Sequence, residues 1–254
     1  MALLRHLYTP EGAAALAALA RERPLLAFDF DGTLAPTVAR PDEARVSAAV
    51  SSKLARLALR VPVAVVSGRT VADVRRRLDF APTFVVGNHG AEDAERAPPA
   101  AAVAALDALR RELAASWPSL AAAGVQIEDK GVSIALHYRL ARDRDAACAR
   151  IAAVVERLDP GLRHFAGKCA VNVVAAGAPD KGDAICALVE RARCSAALFV
   201  GDDASDEAVF ERARARWVTV RVGREDRGSR ARFFLDSASE LATMLQRLLV
   251  LLAG

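Results

Sequence analysis

The stretch LLAFDFDGTL, from Leu25 to Leu34, closes an apolar run with two carboxylates two positions apart, Asp29 and Asp31, followed at once by Gly32 and Thr33. Apolar runs build buried strands, and a charge at the end of one is costly unless it is used. A carboxylate in that place is rigidly held, as a covalent nucleophile must be, which makes Asp29 the candidate nucleophile. Asp31, two residues on, is placed to act as general acid and base. A second acidic cluster, Gly201-Asp202-Asp203-Ala204-Ser205-Asp206, follows another apolar run. Carboxylates from two strand ends make a hard oxygen site of the kind that suits Mg²⁺, with Asp29, Asp31 and Asp202 as ligands and Asp206 orienting them. Gly32 lets backbone approach a bound anion, and the hydroxyls of Thr33 and Ser67 can donate to phosphate oxygens. Lys181 supplies positive charge for what develops in a transition state.

These groups need elements to hold them. Short β-rich runs at Leu25–Phe28, Val61–Val66, Phe84–Val86, Ala197–Val200, Trp217–Val222 and, more weakly, Phe233–Leu235 alternate with helical patterns. The helices are expected at Val46–Leu59, Val71–Leu78, Lys181–Ala192, Asp206–Arg214 and Ser239–Leu252, and Thr9-Pro10-Glu11 reads as a further helix start. Strands alternating with helices imply right-handed crossovers and a doubly wound parallel sheet, an α/β fold. In such a sheet ligands sit beyond the carboxyl ends of the strands. Ser67-Gly68-Arg69 follows the second run and Gly87-Asn88-His89-Gly90 the third, while Pro179-Asp180-Lys181-Gly182 opens the helix before the fourth. Every polar cluster therefore falls on one edge, and Gly68, Arg69 and Asn88 join the binding candidates.

The middle of the chain reads differently. Pro98-Pro99 breaks it, then a helix at Ala100–Trp117, strands at Val125–Glu128 and Val132–Tyr138 around Asp129-Lys130-Gly131, a helix at Arg144–Leu158, and strands at Leu162–Ala166 and Ala170–Ala175 around Gly167-Lys168. That is an α+β module inserted into the sheet. The expected division is residues 1–95 with 176–254 as the core, and 96–175 as the insertion.

The 254 residues are 53% hydrophobic, enough for a sizeable core, and the net charge of +4 is mixed with acids throughout, without a nucleic-acid stripe. Lysine occurs only at 53, 130, 168 and 181 against a great excess of arginine. The four cysteines, at 148, 169, 186 and 194, form no C-x-x-C and suggest reduced thiols. The apolar end at Leu248–Leu252 is far too short to span a bilayer. The expectation is a cytoplasmic monomer that acts on a small molecule, with neither nucleic acid nor membrane as partner. His6 and His164 read as surface or packing residues, and Trp117 and Trp217 as core or core-edge residues.

Asp29-Phe30-Asp31-Gly32-Thr33, Ser67, Lys181 and Gly201-Asp202-Asp203-x-x-Asp206 resemble the four motifs of the haloacid-dehalogenase phosphatase superfamily. The stretches RPLLAFDFDGTLAP, VSGR, GNHGAE, EDKGVSIALHYR and GDDASDEAVF are similar, within it, to the trehalose-6-phosphate phosphatases. The resemblance covers about residues 21 to 220. It implies a haloacid-dehalogenase-like Rossmannoid core, an α+β cap, Mg²⁺ as cofactor, an aspartyl-phosphate intermediate and a sugar phosphate shared between core and cap. By position it brings in His89, Glu92, Lys130, His137, Arg139 and Lys168 as substrate contacts. One departure stands out. After the Gly-Lys turn such sequences carry a glutamate, a basic residue and proline, where this chain has Asn172, Val174 and Ala175. Asparagine accepts hydrogen bonds without charge, and losing a charged acceptor weakens sugar binding by about 1–3 kcal/mol. The substrate is thus trehalose 6-phosphate or, alternatively, another sugar phosphate of the sucrose- or glucosylglycerate-phosphate type.

Overall fold

The computed structural model describes residues 4–38, 40–157, 160–167, 169–223 and 228–253. The chain opens with β1 (Arg5–His6), α1 (Pro10–Arg21), β2 (Pro24–Phe28), α2 (Ala48–Ala58), β3 (Val63–Val66), α3 (Val71–Arg75) and β4 (Phe84–Gly87). It continues with β5 (Glu92–Asp93), α4 (Ala100–Ala122), β6 (Gln126–Asp129), β7 (Ser133–His137), α5 (Arg144–Val155), β8 (Leu162–Gly167) and β9 (Ala170–Ala175). It closes with α6 (Lys181–Arg191), β10 (Ala196–Gly201), α7 (Glu207–Glu211), β11 (Trp217–Val222), β12 (Phe233–Leu235) and α8 (Leu241–Leu251). Two compact units result: residues up to Gly90 together with Pro179 onward, and Ala91–Ala178 between them.

The first unit is built on parallel strands in the order β1-β12-β11-β10-β2-β3-β4. Pro24 through Phe28 and Ala196 through Gly201 are buried along their whole length, which is why these runs carry no polar alternation. Leu25, Leu26 and Phe28 are fully covered, each worth about 1.5–3 kcal/mol of transfer from water. The strand order turns back between β10 and β2, so the two strands that end in acidic clusters are neighbours at the switch point. Their register sets Phe28 beside Val200. Thr9 caps α1 by accepting from Gly12 N–H, with Pro10 in the first turn. Ser47, Thr70 and Asp180 cap α2, α3 and α6 in the same way.

The second unit is an antiparallel sheet in the order β6-β7-β9-β8, with α4 and α5. Leu106, Leu109, Leu113 and Leu120 of α4 and Ile151, Val154 and Val155 of α5 share a core with Ile134, Leu136, Leu162 and Val173. The sheet's other face carries Glu128, Ala135, Asn172 and Phe165 as one row across the strands. α4 runs on through Pro118 to Ala122, five residues past the end expected at Trp117. Proline removes one ladder bond. Burial of Leu120, two turns below Leu113, holds the next turn in place. Gly124, with φ +78°, then ends the helix as Val125 N–H reaches back to Leu120 O. Trp117, expected in the core or at its edge, is 45% exposed.

Candidate active site

The site is set by where β2 and β10 stop. Asp29 N–H donates to Val200 O at 2.9 Å, so pairing extends one residue beyond β2 and fixes the backbone from which the Asp29 carboxylate projects. Beyond it the chain reverses tightly, with Gly32 N–H to Ala35 O at 2.7 Å and Ala35 N–H to Phe30 O at 2.8 Å. The turn needs φ +88° at Gly32, and any Cβ there would run into the Asp202 carboxylate.

Lys181, in the first turn of α6, is 2% exposed and donates to Asp29 Oδ1 and to Asp206 Oδ1, both at 2.7 Å. Asp206 is wholly buried and its other oxygen accepts from Asp203 N–H at 2.9 Å. Thr33 Oγ1 reaches Asp202 Oδ1 at 3.5 Å. Carboxylate oxygens of Asp29, Asp202 and Asp206 lie within 4.8 Å of one another. Burial opposes charging Lys181, but Asp206 and Asp29 outweigh it and hold the ammonium well above the ordinary lysine range. Burial drives the Asp29 carboxyl well above the usual carboxylate range; Lys181 pulls it down, while Asp206 and Asp202 push it further up. With all three acids ionised, one ammonium leaves the cluster strongly negative. Hard oxygen donors, excess negative charge and a turn with no side chain beside Asp202 fit a small divalent cation held by Asp29, Asp202 and Asp206.

The remaining candidates at this edge form a second group. Arg69 donates to both oxygens of Asp31, Nε to Oδ2 and a terminal nitrogen to Oδ1, each at 2.7 Å. Ser67 is buried and its Oγ accepts from Arg69 N–H at 3.1 Å. Asn88 N–H donates to Arg69 O at 2.8 Å and His89 N–H to Ser67 O at 2.9 Å. Asn88 and His89 both take left-handed backbone, φ +50° and +57°, a strained pair of the kind found at functional turns. The His89 ring lies against Gly68, where a Cβ would collide with it.

In the second unit, Glu128 Oε2 meets His137 Nε2 at 2.8 Å and Lys130 Nζ at 3.6 Å. His137, ahead of the opposing burial, holds the Glu128 carboxyl below its usual range. Asn172 is buried in β9. Glu92 lies in β5 and Arg139 just after β7. Lys168 lies outside the described residues. Three residues that bear on the candidates escaped the sequence reading: Glu128, paired with His137 in the second unit, and, in the first, Asp73, which accepts from Arg69, with Arg77, which donates to Asp73. Glu128 was legible as the i, i+2 partner of Lys130 at a hairpin. Asp73 and Arg77 were legible with Arg69 as a run of i, i+4 opposite charges.

The model of the trehalose-phosphatase family matches residues 27–239. The chain belongs to that family. A trehalose-phosphate phosphatase of Mycolicibacterium paratuberculosis is 36% identical over 254 residues, covering 91% of this chain and 63% of the relative. An uncharacterized glycosyl hydrolase of Mycobacterium tuberculosis is 35% identical over 91% of this chain, which amounts to 18% of that protein. The chain thus spans 63% of the length of the trehalose-phosphate phosphatases it matches first. The C-terminal domain of the Candida albicans trehalose-6-phosphate phosphatase superposes with a TM-score of 0.79 at 21% identity, over 98% of this chain and 99% of that one. A haloacid dehalogenase-like hydrolase from Bacteroides thetaiotaomicron superposes at 0.68 and 14% identity, over 89% of this chain and all of that one, so the trehalose-phosphatase family fold seen here is the haloacid-dehalogenase-like one. Among the described residues, no helix is long and apolar enough to cross a membrane.

Proposed function

We propose that the chain is a Mg²⁺-dependent phosphatase that hydrolyses trehalose 6-phosphate to trehalose and phosphate. The observation that carries the reading is the Lys181 ammonium, buried between Asp29 and Asp206 at 2.7 Å from each, beside Asp202 at the switch point of the sheet. Asp29 attacks phosphorus in line: the Oδ–P bond forms as the P–O bond to the sugar breaks, giving an aspartyl phosphate. Asp31 gives a proton to the departing sugar oxygen, then takes one from the water that attacks phosphorus, and phosphate leaves as Asp29 is regenerated. Lys181, Thr33 and Ser67 hold the phosphoryl oxygens, and Lys181 keeps Asp29 turned toward the substrate. Asp29, Asp202, Asp206 and the Asp31 backbone would hold the cation, which when bound would neutralise phosphoryl charge. His89, Glu92, Lys130, His137, Arg139, Lys168 and Asn172 are the proposed sugar contacts. The same reading makes the protein a cytoplasmic monomer.

The test is phosphate release from a panel of sugar phosphates with Mg²⁺ present. Trehalose 6-phosphate should give the highest kcat/KM. A second reading keeps the chemistry and changes the sugar. It is favoured by Asn172, a buried neutral amide where the resemblance implies a glutamate. A sucrose- or glucosylglycerate-type phosphate turned over severalfold better than trehalose 6-phosphate would decide for it. Absence of phosphate release across the whole panel would remove both.

A further inference from the structure

Asp31 does not stand alone beside the site; it is the last member of a chain of charges. Its two oxygens are taken by Arg69 at 2.7 Å each. Arg69, only 14% exposed along its side chain, turns its remaining terminal nitrogen to Asp73 Oδ2 at 2.8 Å. The Arg69 guanidinium also sits 5.5 Å from the centre of the buried Phe30 ring. Asp73 accepts in addition from Arg77, Nε to Oδ2 at 2.9 Å and a terminal nitrogen to Oδ1 at 3.0 Å. Arg77 is buried, and its other terminal nitrogen donates to Asp42 O at 2.9 Å and Ala44 O at 3.3 Å, in the segment between β2 and α2. Arg76, an exposed side chain, meets Asp73 Oδ1 from the solvent side at 2.8 Å.

Two features make this more than a surface ion-pair cluster. A guanidinium clamping both oxygens of a carboxylate fixes its rotamer as well as its position. Asp73 in turn is fixed by α3 itself, where Thr70 caps the helix by accepting from Asp73 N–H at 3.1 Å. The position of Asp31 is thus referred to a helix and to buried Arg77, while Asp31 itself is 42% exposed.

Resting on the proposed reading of Asp31 as general acid and base, we propose that Asp73 is a positioning residue for the reaction, holding Arg69 so that Arg69 sets the Asp31 carboxylate where the leaving sugar oxygen departs. Asp73 touches no reacting atom. Its effect therefore follows the leaving group. An alkoxide from a sugar needs the proton that Asp31 gives. p-Nitrophenolate leaves phosphorus without one, so transfer of its phosphoryl group to Asp29 does not depend on Asp31.

The experiment compares wild type, Asp73→Asn, Arg69→Lys and Arg76→Ala. Wild-type turnover of the sugar-phosphate panel tests the functional reading on its own; the variants are then compared with wild type on the best substrate. Asp73→Asn should lower kcat on that sugar phosphate by about tenfold or more, part of what a well-placed general acid supplies, with KM little changed. Single-turnover release of p-nitrophenolate from p-nitrophenyl phosphate should stay within about twofold of wild type. Arg69→Lys, which keeps the charge and cannot grip both oxygens, should show the same split between the two leaving groups. Arg76→Ala should change neither. A parallel loss on both substrates would mean general damage and overturn the proposal. So would an unchanged kcat, or a rise in kcat marking the clamp as a resting lock. If circular dichroism shows Asp73→Asn unfolded, the leaving-group split in Arg69→Lys decides alone.

Discussion

The ammonium of Lys181 bonds two members of the acidic cluster, Asp29 and Asp206, and its loss has two separable consequences. Lys181→Met would leave Asp29 and Asp206, both buried, facing each other without it. Removing one partner of a buried ionic set costs about 3–5 kcal/mol. The variant should melt well below wild type and release no phosphate. Asp29→Asn is the contrasting case. It keeps the shape, keeps an acceptor for Lys181, and removes a charge from a cluster already rich in negative charge. That variant should keep the wild-type circular dichroism spectrum and show no turnover; normal turnover by the folded variant would exclude the aspartyl-phosphate route. Stability falls with the lysine and activity with either, so a melting curve beside a phosphate assay separates the structural role from the chemical one.

At the scale of elements, α3 does unusual duty for a helix of five residues. Hydrogen bonds from Arg77, Arg69 and Arg76 outweigh burial and hold the Asp73 carboxyl well below the ordinary carboxylate range. An acid whose folded pKa is depressed binds fewer protons in the native state than in the unfolded one. Its contribution is therefore present above the unfolded value, about 3.9, and is lost as pH falls below it. Asp73→Asn should lower the denaturation midpoint at pH 7 and shrink the difference between pH 7 and pH 3, as urea titrations at both would read. Legibility follows the same physics. Leu25–Phe28 and Ala197–Val200 were readable because a strand buried on both faces is a continuous apolar run. The helix after the second acidic cluster was not readable at its ends. It was expected over Asp206–Arg214, whereas a tight turn at Ala204–Asp206, tied by Asp206 to Asp203 N–H, precedes an α7 of only Glu207–Glu211. β1 and β5, two residues each, are too short to carry any period. The meeting of Asp29, Asp202, Asp206 and Lys181 was foreseeable from the switch-point rule. The clamp of Arg69 on Asp31 was not, because a motif says where a side chain starts and not where it points.

For the molecule as a whole, the acidic cluster ties stability to the cation the site fits. Its oxygens come from the end of β2 and from the segment after β10, regions far apart in sequence that are joined only when the parallel sheet forms. The unfolded chain therefore has no such site, and a cation that binds the native state alone stabilises it by mass action. At a concentration 100 times its dissociation constant the gain is about 2.7 kcal/mol. For a chain of this length that corresponds to a rise of roughly 5–10 °C in Tm. A divalent cation among these carboxylates would offset the mutual repulsion that Asp206 and Asp202 exert on Asp29. Mg²⁺ should raise Tm in a saturable way and chelator should reverse it, read by differential scanning fluorimetry without any substrate. Asp202→Asn removes one donor and leaves the buried pairs of Lys181 in place, so it should fold, melt close to the chelated wild type, and lose most of the Mg²⁺ response. An equal response in wild type and variant would place the stabilising cation somewhere other than these three carboxylates, and with it the charge on which the proposed chemistry rests.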